Sequence, residues 1–111
     1  MLYKFPRRWD TETCTSFLQR VVIIHSILYY ELDNPLISDK SYDEVSKQLL
    51  EYQKDANIDA TQYGYMMYDF DGNTGFDLYT RLNDSDRKYL RHIASRLAGV
   101  KTKKKKKGKL F

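Results

Sequence analysis

The stretch Leu28-Tyr29-Tyr30-Glu31-Leu32-Asp33-Asn34-Pro35-Leu36-Ile37-Ser38-Asp39-Lys40-Ser41-Tyr42-Asp43 decides the fold. Upstream of it, Phe17, Val21, Ile24 and Leu28 recur at helical spacing, and Cys14 and Leu18 widen the stripe. That periodicity predicts a helix from about Thr11 to about Glu31, capped by Asp10 or Thr11. Val22, Ile23 and Ile27 make its middle apolar on more than one side, as in a helix central to a bundle or lining an oligomer interface. Asp33-Asn34-Pro35 breaks it, because proline forces the residue before it out of helical geometry. Ser38 or Ser41 then opens a second helix, and Ser41-Tyr42-Asp43-Glu44 has the spacing of a capping box. Tyr42, Val45, Leu49 and Tyr52 form its stripe, which fades near Lys54. Two striped helices with a short connection make an antiparallel hairpin.

Outward from the hairpin the signals weaken. Residues 1–10 read as an extended arm whose Tyr3, Phe5 and Trp9 pack back onto the body, with Arg7 and Arg8 solvated beside it. Tyr63, Tyr65, Met66, Met67, Tyr68 and Phe70 predict a short helix laid across the hairpin. A turn-rich loop follows over residues 69–77. Asp84 is the expected cap of a last helix, about Ser85 to Ala98, with Tyr89, Leu90, Ile93 and Leu97 inward and Gly99 as its stop. The expected fold is therefore all-α: an antiparallel helical hairpin, a short crossing helix, a C-terminal helix and a disordered basic tail. Residues 1–99 would form one domain, and residues 100–111 the lysine-rich tail.

Composition narrows the function classes. A chain of 111 residues holds one modest core. Its single cysteine, Cys14, excludes an internal disulfide or a cysteine-based metal site and reads as core filler. No stretch has the apolar core of a secretory signal, and Val21-Val22-Ile23-Ile24 is too short to span a bilayer, so a cytoplasmic protein without membrane contact is expected. The formal charge of +4 is uneven, because the seven lysines of the tail leave 12 basic against 15 acidic residues elsewhere.

Tyr29 and Tyr30 end one hairpin helix, while Tyr42 and Asp43 begin the next, with Asp39 beside them. Tyrosine faces suit a planar cation, and nearby carboxylates offset its charge and accept from an amide or a ribose hydroxyl. A pyridinium nucleotide fits such a rim. The same residues also read as structure: Tyr42 in the core, Asp39 and Asp43 favouring the helix N-terminus. His25 has no second histidine at ligand spacing and reads as an ordinary helix histidine. The 69–77 loop alternates Asp69, Asp71 and Asn73 as a calcium loop does, but Thr74 and Thr80 stand where its glycine and closing glutamate belong, so a structural loop is expected. Lys103, Lys104, Lys105, Lys106 and Lys107 would attract nucleic acid only non-specifically.

Residues 25–43, with the tyrosine pair followed by Asp33-Asn34-Pro35-Leu36-Ile37-Ser38-Asp39-Lys40-Ser41-Tyr42-Asp43, resemble the N-terminal Ia region of bacterial NAD+-dependent DNA ligases. That region reads as a helix ending in a tyrosine pair, then D-x-P-x-I-S-D-x-x-Y-D, then a second helix. The resemblance covers roughly residues 15–54. It implies a site for the nicotinamide mononucleotide (NMN) half of NAD+, at Tyr29, Tyr30, Asp39, Tyr42 and Asp43. It also implies what is missing: the ligase lysine of K-x-D-G has no counterpart, since Asp69-Phe70-Asp71-Gly72 puts aspartate in its place. The chain thus looks like a free-standing, ligase-Ia-like domain of the type found in small phage and mobile-element proteins.

Three functions follow as expectations. The first is a non-catalytic binding module for NMN or NAD+, requiring no cofactor. The second is a phage or mobile-element inhibitor that uses the ligase-like scaffold to bind a host or defence protein, for example a nucleic-acid-handling nuclease. The third is a DNA-associated accessory factor tethered by its lysines.

Overall fold

Asp10 starts the first helix for a local electrostatic reason. Its backbone is extended, and its carboxylate accepts the Thr13 N–H at 2.8 Å, satisfying a first-turn donor. Hydrogen bonding from the Thr13 side chain and backbone holds the Asp10 carboxyl below its ordinary pKa. The computed structural model describes residues 2–72 and 77–106. In it α1 runs Thr11–Ser26, continues as a π-helical turn Ile27–Glu31, and is followed by α2, Asp39–Asp55. A 3-10 turn Ile58–Ala60, α3 Gly64–Met67, α4 Leu78–Arg81 and α5 Asp84–Lys106 complete the described chain. No strand occurs among the described residues. The fold is all-α, as the periodicity predicts.

α1 and α2 form the antiparallel hairpin. Gln19 in the middle of α1 bonds Gln53 near the end of α2, while Ser26 at the end of α1 bonds Tyr42 at the start of α2. Ser38, not Ser41, caps α2, its hydroxyl accepting the Ser41 N–H at 3.0 Å. The deepest stripe of α1 is Leu18, Val22, Ile23 and Ile27, all 0% exposed, whereas Phe17 and Val21 are only half-buried. Cys14, Leu18, Ile24 and Leu28 of the expected stripe are buried as well, so burial extends around more than one side of the helix. The reason is that α1 is packed by α2 on one side and by α4 and α5 on others, so it is central to the bundle. Cys14 is buried, and burial pushes its thiol pKa up, as suits core filler.

The N-terminal arm packs as its aromatics predict. Phe5 meets Phe17 and Tyr52 edge-on at 5.6 Å, Tyr3 meets Phe17 at 5.2 Å, and Trp9 stacks on Phe5 at 5.7 Å. Gln48 clamps the arm by bonding both the N–H and the carbonyl of Tyr3.

α3 crosses the hairpin and buries Tyr63, Met66, Met67 and Phe70, while Tyr65 and Tyr68 face out. Beyond it Arg81 gathers three acceptors, the Asp69 and Asp77 carboxylates and the Met66 carbonyl. Asp69 and Asp77 are therefore structural anchors on Arg81. Gly72 is left-handed (φ 81°), which glycine adopts without cost. Asn73, Thr74, Gly75 and Phe76 of that loop lie outside the described residues.

The last helix departs from expectation in three ways. Asn83 caps it rather than Asp84, with its side chain accepting the Asp86 N–H and its carbonyl the Arg87 N–H, both at 2.8 Å. Its buried line is Leu90, Ala94 and Ala98, whereas Tyr89 and Leu97 are exposed. It also passes through Gly99 without stopping, and its backbone is helical to Lys106. The expected stop thus falls inside the helix, because the lysines that follow are good helix formers. Residues beyond Lys106, Lys107 among them, lie outside the described residues. No helix among the described residues is long and apolar enough to cross a membrane.

Candidate ligand-binding site

The turn between the hairpin helices is built by an irregularity in α1. After Ser26 the helix widens, so that the Leu32 N–H reaches the Ile27 carbonyl at 2.9 Å, five residues back. The Asn34 N–H then closes on the Leu28 carbonyl at 2.7 Å. Asp33 absorbs the reversal in the left-handed region (φ 50°), where aspartate is among the few non-glycine residues tolerated. Pro35 prevents the chain from resuming a helix before Ser38. Single π turns of this kind occur often at functional sites.

This geometry opens a pocket of about 480 Å³ lined by His25, Tyr29, Tyr30, Pro35, Leu36, Ile37, Asp39, Lys40, Tyr42 and Asp43. All five residues singled out in the sequence, Tyr29, Tyr30, Asp39, Tyr42 and Asp43, meet there. The volume lies within the roughly 300–1,000 Å³ of small-molecule sites. Tyr29 and Tyr30 are 43% and 44% exposed, so two aromatic rings stand in the solvent at its lip. Their centroids are 4.7 Å apart and the planes are tilted by 58°, a corner rather than a parallel stack.

Tyr42 is fixed from behind. Its hydroxyl lies 2.7 Å from Ser26 Oγ. The Ser26 hydroxyl proton goes to the Val22 carbonyl at 2.9 Å, so the Tyr42 hydroxyl must donate and Ser26 accept. Burial pushes the Tyr42 pKa up, keeping the phenol neutral and able to donate. The two sequence readings of this residue therefore combine: its hydroxyl is anchored in the hairpin, and its side chain lines the pocket.

Asp39 is the first residue of α2 and Asp43 lies one turn on, both exposed. Lys47 approaches Asp43 at 4.0 Å in an exposed pair, too weak to withdraw the carboxylate from a ligand. Lys40 stands between them in sequence and supplies the pocket's mobile cation. The pocket thus offers tyrosine rings, two carboxylates and one lysine around an apolar floor of Pro35, Leu36 and Ile37.

His25 joins the site, although the sequence alone gave it no role there. A signal existed: His25 lies four residues before Tyr29, hence on the same helix face. Its Nδ1 is buried without a hydrogen-bond partner among the described residues, and desolvation lowers its pKa. The folded state therefore favours neutral imidazole, while the unfolded chain titrates near 6.5. As pH falls through that value the unfolded state takes up protons first, so stability should be lost on acidification and be fully present above it. Urea midpoints at about pH 5 and about pH 8 should differ less in His25→Gln than in the parent. An unchanged difference would remove His25 as the cause.

Lys103, Lys104, Lys105 and Lys106 fall on the helical backbone of α5, but their side chains, and all of Lys107, lie outside the described residues. No protein-family profile, curated protein or solved structure matches this chain.

Proposed function

We propose that this protein is a non-catalytic binding module whose hairpin pocket takes NMN, free or as part of NAD+. The observation that carries the reading is the convergence of Tyr29 and Tyr30 from the π turn with Asp39, Tyr42 and Asp43 from α2 on one open pocket. In this reading the pyridinium ring packs against the tyrosines, which attract a planar cation through their π faces. Asp39 and Asp43 accept from the carboxamide and ribose hydroxyls and offset the ring's charge. Lys40 meets the phosphate as a point charge. No catalysis is assigned, because aspartate stands at position 69 where the ligase motif needs its lysine nucleophile.

Calorimetric titration tests the reading with three ligands: NMN, NAD+ and AMP. NMN and NAD+ should bind with similar heats and AMP should not, because the chemistry of the pocket is matched to the nicotinamide half. Tyr29→Ala with Tyr42→Ala should weaken binding by about 5- to 30-fold, the order expected when two aromatic contacts of about 0.5–1 kcal/mol each are removed. AMP binding as tightly as NMN would overturn the assignment.

A further inference from the structure

We infer that α5 is a docking surface for duplex DNA, which it holds by the phosphate backbone without reading sequence. This goes beyond the nucleotide pocket and rests on a separate observation, the division of charge along the chain. All 15 acidic residues precede Arg87, whereas 11 of the 19 basic residues lie from Arg87 onward. With the other 8 basic residues, the first 86 residues carry −7 and the last 25 carry +11, which together give the formal +4. The boundary falls within the first turn of α5, and the helix continues to Lys106. Among the described residues, Arg87, Lys88, Arg91 and Arg96 place positive charge on this folded element, which is the footprint expected of a nucleic-acid-binding face.

The geometry of α5 supports the assignment. Its apolar line, Leu90, Ala94 and Ala98, is buried, and the helix packs on α1 and on the π turn. On the other side Lys88, His92 and Arg96 recur every four residues and are all exposed. Neither Lys88 nor Arg96 has an ion-pair partner among the described residues. Arg91 lies over the Tyr79 ring, 5.7 Å from its centroid. From Lys88 to Lys106 the helix extends about 27 Å, alongside roughly eight base pairs of duplex.

Two competing polyanions fit less well. An interfacial helix on an anionic membrane needs a continuous apolar face free, and the Leu90, Ala94 and Ala98 line of α5 is buried in the bundle, leaving only Tyr89 and Leu97 exposed among its described large hydrophobic residues. The acidic part of a second copy could meet α5, but its acids are scattered over several elements instead of forming a facing line.

The test is fluorescence anisotropy with a labelled 20-base-pair duplex and the full-length protein, over a range of salt. Binding should be sequence-independent, with log K falling against log salt at a slope of about −4 or steeper. Lys88→Glu with Arg96→Glu should weaken binding at least tenfold and reduce the slope by about two. Lys88→Gln with Arg96→Gln should fall between, and circular dichroism should show all variants helical. A full-length chain with the lysines from 101 onward changed to glutamine should bind more weakly yet retain salt-dependent binding that the Lys88/Arg96 changes then remove. The proposal is overturned by any of three results. The first is a reversal pair that binds within twofold of the parent while the glutamine tail abolishes binding. The second is a parent that captures anionic vesicles but not duplex. The third is light scattering that shows a dimer dissociated by the reversal pair, with no duplex bound.

Discussion

Replacing Gly64 with alanine should destabilise this protein by about 3 kcal/mol, at the upper end of what one added methyl group costs in a packed interior. An ideal Cβ at Gly64 would overlap the Ile58 carbonyl oxygen and lie 2.7 Å from Thr61 Oγ1. Neither neighbour can retreat cheaply. The Ile58 carbonyl accepts both the Thr61 N–H at 3.0 Å and the Thr61 hydroxyl at 2.6 Å, and Thr61 is itself held by Gln19. The overlap is with backbone, so relief requires moving the 3-10 turn or α3, and α3 carries the buried Tyr63, Met66 and Met67. In a chain of this size the melting temperature should fall by more than about 10 °C. Gly99→Ala is the contrasting substitution. It meets no atom within 4 Å and lies inside a helix, so it should raise stability by about 0.5–1 kcal/mol. Urea denaturation of the two variants checks both signs. A loss below about 1 kcal/mol for Gly64→Ala would contradict the close packing of α3 on the 3-10 turn.

Gln19→Leu should cost about 2–3 kcal/mol although it replaces a polar core residue with an apolar one of similar size. The Gln19 amide is fully buried. Its Nε2 donates to Gln53 Oε1 at 3.2 Å and to Thr61 Oγ1 at 3.0 Å, and its Oε1 accepts the Tyr63 N–H at 3.0 Å. One side chain thus joins α1, α2 and the segment entering α3. Leucine would leave the Tyr63 N–H buried without an acceptor, and that unmade bond outweighs the gain from apolar burial. Thr61→Val removes one partner only and should cost less. The double variant should show a coupling above about 0.5 kcal/mol, because both residues act in one network. Additive losses would mean that Gln19 works through packing alone.

The hairpin was legible because three independent signals agree on it: a 3.6-residue stripe, a proline break and a serine at the start of α2. Other features had weaker signals. In α5 the buried line uses Ala94 and Ala98, whose small side chains let the helix lie close on α1 but contribute little to a hydrophobic pattern. Tyr89 and Leu97 dominate that pattern and are nevertheless exposed, since contact geometry and not hydrophobicity alone chooses the inner face. The π turn Ile27–Glu31 has no sequence period of its own, so the widening that presents Tyr29 and Tyr30 together was not foreseeable. Asn83 and Asp84 are both good caps, and only the backbone geometry separates them. For the pocket, adjacency in sequence was enough to bring together residues flanking one turn. His25 needed the helical i, i+4 relation as well, and Lys40 was masked by its ordinary surface character.

The charge division has a bearing on the pocket. α5 packs against the π turn that carries Tyr29 and Tyr30, so the basic element and the proposed nucleotide site share a structural neighbour. Each can nonetheless be tested alone, because Lys88 and Arg96 do not line the pocket.

The central claim is that the hairpin pocket binds a nicotinamide nucleotide, and its most direct test is an NMR titration of the isotope-labelled protein with NMN. The account predicts saturating shifts confined to residues lining the pocket, including Tyr29, Tyr30, Asp39 and Tyr42, and their loss in Tyr29→Ala/Tyr42→Ala. Spectra that stay unchanged at millimolar NMN, with the protein folded, would contradict it and leave the hairpin as a scaffold for binding another macromolecule.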